Sequence, residues 1–249
     1  MLKLENIRYE VADEKGSDKE ILKNITLDIP EGKFVVITGP NGGGKSTLAK
    51  IIAGIYKPAD GKIFFDGEDI TDCSITDRAN KGISFAFQQP VRFKGIEVLD
   101  IIRLAAKDKN LTPADACKYL SEVGLCARDY INREVDASLS GGELKRIEIA
   151  TVLARKSRLT VFDEPEAGID LWSFQNLIKV FEHIKELTKG TVIIISHQER
   201  ILDIADEIIV IEKGEIASKG SRDEILPGIL GSDAAVSMCH VQKEAMPRV

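Results

Sequence analysis

The sequence predicts an α/β fold with a mostly parallel sheet core, an antiparallel β subdomain and an inserted α-helical subdomain. Three short apolar runs, KFVVITG, RLTVFDE and TVIIISH, alternate with segments of helical periodicity, which is typical of a parallel sheet covered on both faces. At the N-terminus, LKLENIRYEV and ILKNITLDI are joined by the polar loop ADEKGSDK and predict an antiparallel strand pair. With 249 residues, of which 43% are hydrophobic, the chain can bury the core that this fold requires.

The other elements follow along the chain. GKIFFDGEDI predicts a second short β segment and ISFAFQ a further strand, whereas IEVLDIIRLAA and PADACKYLSEVGL carry apolar residues at helical spacing. A helix from about Leu171 to Leu187, the strands EIIVIEKG and EIASKG, and a short helix at SRDEIL come later. We therefore predict one domain, with the α/β core and its β subdomain at 1–94 and 140–226, the helical subdomain at 95–139 and a C-terminal tail at 227–249.

Composition and charge exclude several classes of protein. The net charge of −6 argues against a dedicated nucleic-acid binder, which usually carries a basic face. The first ten residues lack the apolar core of a signal peptide, and no apolar run approaches the ~18 residues of a membrane span. We therefore predict a cytoplasmic protein without direct membrane insertion. The cysteines form no CxxC pair and predict reduced thiols: Cys73, Cys117, Cys126 and Cys239. Cys239 and His240 alone are too few ligands for a metal site.

A phosphate-binding loop is the most specific motif. GPNGGGKST matches G-x-x-x-x-G-K-[ST], the Walker A pattern, and lies between a predicted strand and a predicted helix. The main-chain N–H groups of such a loop surround phosphates, Lys45 can reach the β and γ oxygens, and the Ser46 hydroxyl can bind Mg²⁺. The predicted nucleotide-binding residues are Gly39, Pro40, Asn41, Gly42, Gly43, Gly44, Lys45, Ser46 and Thr47.

Candidate catalytic and metal-binding side chains follow three predicted strands. Asp163 and Glu164 end the run LTVF, beside the phosphate loop at the carboxyl edge of a parallel sheet. We expect Asp163 to hold Mg²⁺ through its water and Glu164 to polarise the attacking water. Gln88 ends ISFAF and can reach the metal or that water, although Gln89 offers an alternative register and a surface glutamine would look the same. His197 follows TVIIIS and can donate to the γ-phosphate, although a lone histidine is more often structural.

A second anion site is predicted in SLSGGELKRIEIA. Ser140 and Glu143 form an S-x-x-E capping box, so a helix should begin there. Gly141 and Gly142 leave its first main-chain N–H groups unshielded, and such a helix end attracts an anion. Read alone, the capping box would only start a helix, and the chain already has one phosphate loop.

The order of the motifs identifies the chain as a member of the ATP-binding-cassette (ABC) ATPases, which it resembles up to about residue 226. The resemblance implies ATP hydrolysis with Mg²⁺ by a head-to-tail dimer of two copies, with ATP between one phosphate loop and the partner's LSGGE. It assigns the second anion site to the partner's γ-phosphate, Tyr9 to adenine stacking and Asp170, in AGID, to coupling of the two sites. Without the family, Tyr9 is a half-buried strand tyrosine and Asp170 is the N-cap of the helix LWSFQNLIKV.

Several segments resemble a narrower group. SHQERIL, AFQQPVRFKGI, SGGELKRIEI and EAGID are similar to those of the SufC group, the ATPases of the SUF iron–sulfur cluster assembly machinery, whereas Pro165 and Tyr9 depart from it. This resemblance implies SufB/SufD-like scaffold subunits as partners, whose conformation ATP would change. The alternative is the cytoplasmic ATP-binding subunit of an ABC importer, with a membrane subunit docked in the groove near Gln88. A repair or ribosome-clearing cassette would need a coiled-coil insertion or a second cassette, and the sequence contains neither.

Overall fold

The computed structural model describes residues 1–12, 18–187 and 189–230. Residues 13–17 of the predicted loop ADEKGSDK and residues 231–249 of the predicted tail, with Cys239 and His240, lie outside these ranges. The described strands are β1 (Leu2–Ala12), β2 (Asp18–Ile29), β3 (Phe34–Thr38), β4 (Asp60–Phe65), β5 (Glu68–Asp69), β6 (Ile83–Ala86), β7 (Phe93–Glu97), β8 (Glu134–Val135), β9 (Leu159–Asp163), β10 (Thr191–Ile195), β11 (Glu207–Glu212) and β12 (Glu215–Ser221). The described helices are α1 (Lys45–Ala53), α2 (Ile75–Asn80), α3 (Val98–Ala106), α4 (Pro113–Glu122), α5 (Ala127–Tyr130), α6 (Gly141–Arg155), α7 (Leu171–Leu187), α8 (Glu199–Asp203) and α9 (222–230).

The central sheet has the strand order β12-β11-β3-β10-β9-β6. Its neighbours are parallel except for β12, which runs antiparallel to β11. Strands β3, β9 and β10 are buried at every position, as their continuous apolar runs predict. Ile195 of β10 pairs with Ile37 on one side and with Asp163 on the other, so these strands end at the same edge of the sheet. The predicted α/β class with a mostly parallel core is confirmed.

The antiparallel subdomain is a four-stranded sheet in the order β2-β1-β4-β5. Tyr9 pairs with Leu22 across β1 and β2, the strand pair that the sequence predicts. Leu2 and Leu4, on one face of β1, share an apolar cluster with Ile51 of α1 and with Val35 of β3. Helix α1 and this subdomain are therefore held by the same core as one face of the central sheet, which fixes the loop between β3 and α1.

The helical part contains the two predicted helices, α3 and α4, but begins differently from the prediction. Ile96, expected as the first helical residue, lies in β7, which pairs with β8 in a two-stranded ribbon. Helix α3 starts only at Val98 because the N–H groups of Val98 and Leu99 donate to the carbonyls of Arg133 and Ile131, on the returning chain. A contact with residues more than thirty positions away thus sets this boundary.

Short helices account for the other differences from the predicted elements. α2, α5 and α8 span four to six residues each and carry too few apolar positions for a clear periodic signal. The helix expected at SRDEIL extends to residue 230, across the predicted start of the tail, because Leu226 is buried and Ile229 packs on the same core. Over the described ranges, no helix has the length and apolar character needed to cross a membrane.

Candidate active site

The phosphate loop connects β3 to α1, and at Gly39 its main chain leaves no room for a side chain. A Cβ atom on Gly39 would lie 2.1 Å from the carbonyl oxygen of Ile211, and the φ of Gly39 is 129°. Gly44, with φ 104°, is the N-cap of α1 and supplies no side-chain hydrogen bond to it. The first N–H groups of α1 are therefore not capped by a side chain, and a helix end of this kind binds phosphate.

Lys45 is held inside this loop. Its side chain is buried, and Nζ donates to the carbonyl oxygens of Gly39 at 2.7 Å and Pro40 at 2.9 Å. Burial holds the pKa of Lys45 below its usual value, although the nearby carboxylates of Glu164 and Asp163 partly offset this effect. The ammonium group therefore lies between the loop carbonyls and two acids, where a bound triphosphate would meet it.

Ser46 and Asp163 come together from α1 and the end of β9. Ser46 Oγ donates to Asp163 Oδ1 at 2.8 Å. Asp163 is only 4% exposed, and burial raises its pKa whereas the Ser46 hydrogen bond lowers it. Hydroxyl and carboxylate oxygens are ligands that Mg²⁺ prefers, and a cation would stabilise a buried carboxylate. The Ser46–Asp163 pair therefore fits Mg²⁺.

Gln88 and Glu164 form the second contact at this edge. The exposed Gln88 donates from Nε2 to Glu164 Oε2 at 2.7 Å. The main chain of Glu164 has φ 44°, and its N–H donates to the carbonyl of Ile195 at 3.0 Å. A left-handed conformation costs a residue with a side chain roughly 1–3 kcal/mol and is common at active sites. Two sequence-predicted side chains, 76 positions apart, are thus in direct contact.

His197 lies at the same edge, immediately after β10, and is exposed. Within the described part of the chain its side chain has no hydrogen-bond partner, so it is available to a ligand. Its neighbour Ser196 donates from Oγ to Glu166 Oε1. Burial raises the pKa of Glu166, and the Ser196 hydrogen bond and His197 lower it. Glu166 and Ser196 belong to EAGID and SHQERIL, two segments that carry the narrower resemblance, and sequence reasoning assigned neither of them a role in the site.

Tyr9 is in contact with a second aromatic residue that sequence reasoning missed. The rings of Tyr9 and Tyr56 stack with centroids 5.3 Å apart and an interplanar angle of 8°. Lys50 Nζ lies 5.5 Å from the centroid of the Tyr56 ring. One face of Tyr9 is therefore covered by Tyr56, and stacking of adenine on Tyr9 stays a prediction.

The capping box of α6 forms as predicted. Ser140 N–H donates to Glu143 Oε2 at 2.7 Å, and Glu143 N–H donates to Ser140 Oγ at 3.3 Å. These bonds do not involve the N–H groups of Gly141 and Gly142, and a Cβ on Gly142 would lie 2.8 Å from Ser173 Oγ. Ser140, Gly141 and Gly142 are here called the signature end of α6.

Asp170 begins α7. Its Oδ1 accepts a hydrogen bond from the N–H of Ser173 at 3.0 Å, which is the N-cap contact that the sequence predicts without reference to any family. The coupling role that the resemblance implies for Asp170 stays a prediction.

Comparisons with known proteins identify the family of the chain. The family model described as ABC transporter matches residues 22–167. An uncharacterized ABC transporter ATP-binding protein of Methanocaldococcus jannaschii is 41% identical over 216 residues, which cover 84% of this chain and 86% of that protein. A sulfate/thiosulfate import ATP-binding protein of Bacillus cereus is 34% identical over 212 residues, covering 83% of this chain and 58% of that protein.

A solved structure gives the same result for the fold. It is the dimeric structure of a post-hydrolysis state of the ATP-binding cassette MJ0796 bound to ADP and Pi, and this chain matches it with a TM-score of 0.79 and 26% identity. The match covers 89% of this chain and 99% of that chain. On the family match, the relatives and the site geometry, the chain belongs to the ABC transporter family, as one of its ATP-hydrolysing ATP-binding cassettes.

Proposed function

We propose that two copies of this chain bind Mg-ATP between the phosphate loop of one copy and the signature end of α6 of the other, and hydrolyse it there. One observation carries the proposal: the hydrogen bonds Ser46–Asp163 and Gln88–Glu164 bring four predicted side chains from three separate parts of the chain to one edge of the sheet. That edge adjoins the uncapped N-terminus of α1, where the triphosphate would lie.

Each side chain has a distinct role in this proposal. Lys45 and the N–H groups of α1 hold the β- and γ-phosphates, and Ser46 and Asp163 hold Mg²⁺, which neutralises phosphate charge when bound. Glu164 accepts the proton of the attacking water, and Gln88 orients that water or reaches the metal ion. His197, exposed beyond β10, donates to the γ-phosphate.

The second copy supplies the other phosphate contact. The signature end of α6 has two glycines whose N–H groups lie outside the capping box, so it suits an anion carried by a partner. The dimeric state described for MJ0796 with ADP and Pi supports the same arrangement here. Tyr9 contacts adenine, and Asp170 couples the two sites across the interface.

The comparisons favour a transport role, in which this chain is the cytoplasmic ATP-binding subunit of an ABC importer. The support is the name of the Bacillus cereus relative, an import ATP-binding protein. In this proposal a helix of a membrane subunit docks at a cavity of about 270 Å³ next to β6. Most of its lining side chains are apolar, and they include Phe85 and the exposed Ile75 (52% exposed) and Phe87 (43% exposed).

A second candidate function is supported by a specific observation at Glu166. Transport cassettes usually have the pattern DEPTSALD, whereas this chain resembles the SufC group in its acid at 166 and its glycine at 168. Glu166 accepts a hydrogen bond from Ser196, at the start of the SufC-like segment SHQERIL. In this candidate the dimer changes the conformation of SufB/SufD-like scaffold subunits and serves iron–sulfur cluster assembly.

Partner isolation together with depletion separates the two candidates. The tagged chain is purified in parallel from a detergent-free extract and from solubilised membranes, with Phe87→Ser as the control that should weaken partner capture in either case. An importer subunit is expected with an identified membrane permease, and its depletion should stop uptake of one solute. A detergent-free scaffold partner that stimulates ATP hydrolysis, with reduced iron–sulfur enzyme activities and normal uptake after depletion, would establish the second candidate and refute the first.

A further inference from the structure

A buried ion pair lies behind the Gln88–Glu164 contact. Lys145, on α6, is 1% exposed, and its Nζ lies 2.7 Å from Oε2 of Glu148, one turn later on the same helix. Burying two opposite charges costs desolvation free energy that their attraction often does not exceed, so stability alone is a weak reason for the pair. The other contacts of Lys145 and Glu148 therefore indicate what the ion pair does.

Both charged groups contact the same residue, Phe87. Lys145 Nζ donates to the carbonyl oxygen of Phe87 at 2.6 Å, and the N–H of Phe87 donates to Glu148 Oε1 at 3.2 Å. The sheet pairing of β6 ends at Ala86, so this pair takes up both main-chain polar groups of the first residue beyond the sheet. Burial raises the pKa of Glu148, and Lys145 and the Phe87 N–H favour its anion.

We propose that Lys145 and Glu148 are positioning residues that fix the main chain at Phe87 and thereby hold Gln88 against Glu164. The inference rests on the role proposed above for Gln88. Both residues lie on α6, whose first residues are the signature end. The helix that would contact the partner's ATP therefore also sets the position of Gln88 in its own copy, so a displacement of α6 on dimer closure moves Gln88.

A double-mutant cycle with Gln88 tests this positioning role. In the otherwise unchanged protein, Lys145→Met should lower kcat roughly ten- to a hundredfold, because a misplacement of about 1 Å at a reacting group has effects of this size. The KM for ATP should change little, since the phosphate loop is untouched. In a Gln88→Ala background the same substitution should change kcat by less than about twofold, because its target is already absent.

The chain offers a matched control in Lys185. Its Nζ donates to the carbonyl of Ile204 at 2.8 Å and pairs with Asp206 at 2.7 Å, and Asp206 accepts the N–H of Phe34. Lys185 thus resembles Lys145 in binding a main-chain carbonyl and a carboxylate that accepts a main-chain N–H, although its pair contacts two different residues, is more exposed and lies at the amino end of β3. Lys185→Met should lower thermal stability and leave kcat within about twofold of the unchanged protein.

The possible results distinguish the role proposed for Gln88 from the positioning role proposed for Lys145 and Glu148. Normal kcat in Gln88→Ala alone would refute the role proposed for Gln88. If Gln88→Ala is slow and Lys145→Met lowers its kcat by the same factor as in the unchanged protein, only the positioning role is refuted. A loss of kcat in Lys185→Met as large as that in Lys145→Met would also refute the positioning role. If Lys145→Met does not fold, Glu148→Gln, which keeps the volume and an acceptor oxygen, is used in the same cycle and must show the same non-additivity.

Discussion

Replacement of Glu164 by glutamine tests the chemistry most simply. Glu164→Gln keeps the size of the side chain and an oxygen that can accept the hydrogen bond from Gln88 Nε2, now 2.7 Å from Glu164 Oε2. The amide cannot accept the proton of the attacking water, and loss of a general base typically lowers the rate by ~10²–10⁴-fold. This corresponds to about 3–5 kcal/mol in the activation free energy.

Nucleotide binding should survive this change. Lys45 stays in the phosphate loop, held by the carbonyls of Gly39 and Pro40, and removal of a negative charge beside the triphosphate should keep or increase affinity for ATP. Single-turnover hydrolysis and an equilibrium titration with Mg-ATP measure the two quantities separately. The control is Glu182→Gln, at an exposed position of α7. A Glu164→Gln protein that hydrolyses ATP within about twofold of the control rate would remove Glu164 from the mechanism.

Two predictions concern stability. Arg78→Met should lower the free energy of unfolding by about 2–6 kcal/mol in urea titrations. The substitution removes the donors to the buried carbonyls of Ile51 and Ile52, and each unsatisfied carbonyl costs roughly 1–3 kcal/mol. A loss below about 1 kcal/mol would contradict this. Burial favours a higher pKa for Asp206, but hydrogen bonds from Lys185 and the Phe34 N–H outweigh it and lower the pKa. The loss of stability caused by Asp206→Asn should therefore be largest at neutral pH and should shrink as pH falls below about 4. Melting temperatures of the unchanged protein and of Asp206→Asn that differ by the same amount at every pH would contradict this.

Local signals in the sequence predicted much of the fold and the site. The loop from Gly39 to Ser46 and the capping box of Ser140 and Glu143 depend on neighbouring residues, so their patterns are visible in one segment. The buried runs of β3, β9 and β10 gave the parallel sheet, and the rule that such strands end at one edge placed Asp163 near the phosphate loop.

Contacts between distant segments were not predictable in this way. Tyr56 stacks on Tyr9 across 47 positions, and Lys145 reaches Phe87 across 58, and neither pair has a motif. The start of α3 is likewise set by carbonyls of the returning chain. The sequence therefore predicts the side chains that carry out the chemistry more reliably than it predicts the residues that hold those side chains in place.

The most direct test of the shared site is to mix two inactive variants. Lys45→Ala damages the phosphate-loop side of a site, and Ser140→Arg damages the signature end of α6. In a head-to-tail heterodimer one site collects both lesions and the other has none, so the mixture should regain ATPase activity that neither variant has alone. Heterodimers that form and bind ATP but do not hydrolyse it would contradict the claim that each site is built from two copies and is active independently of the other site.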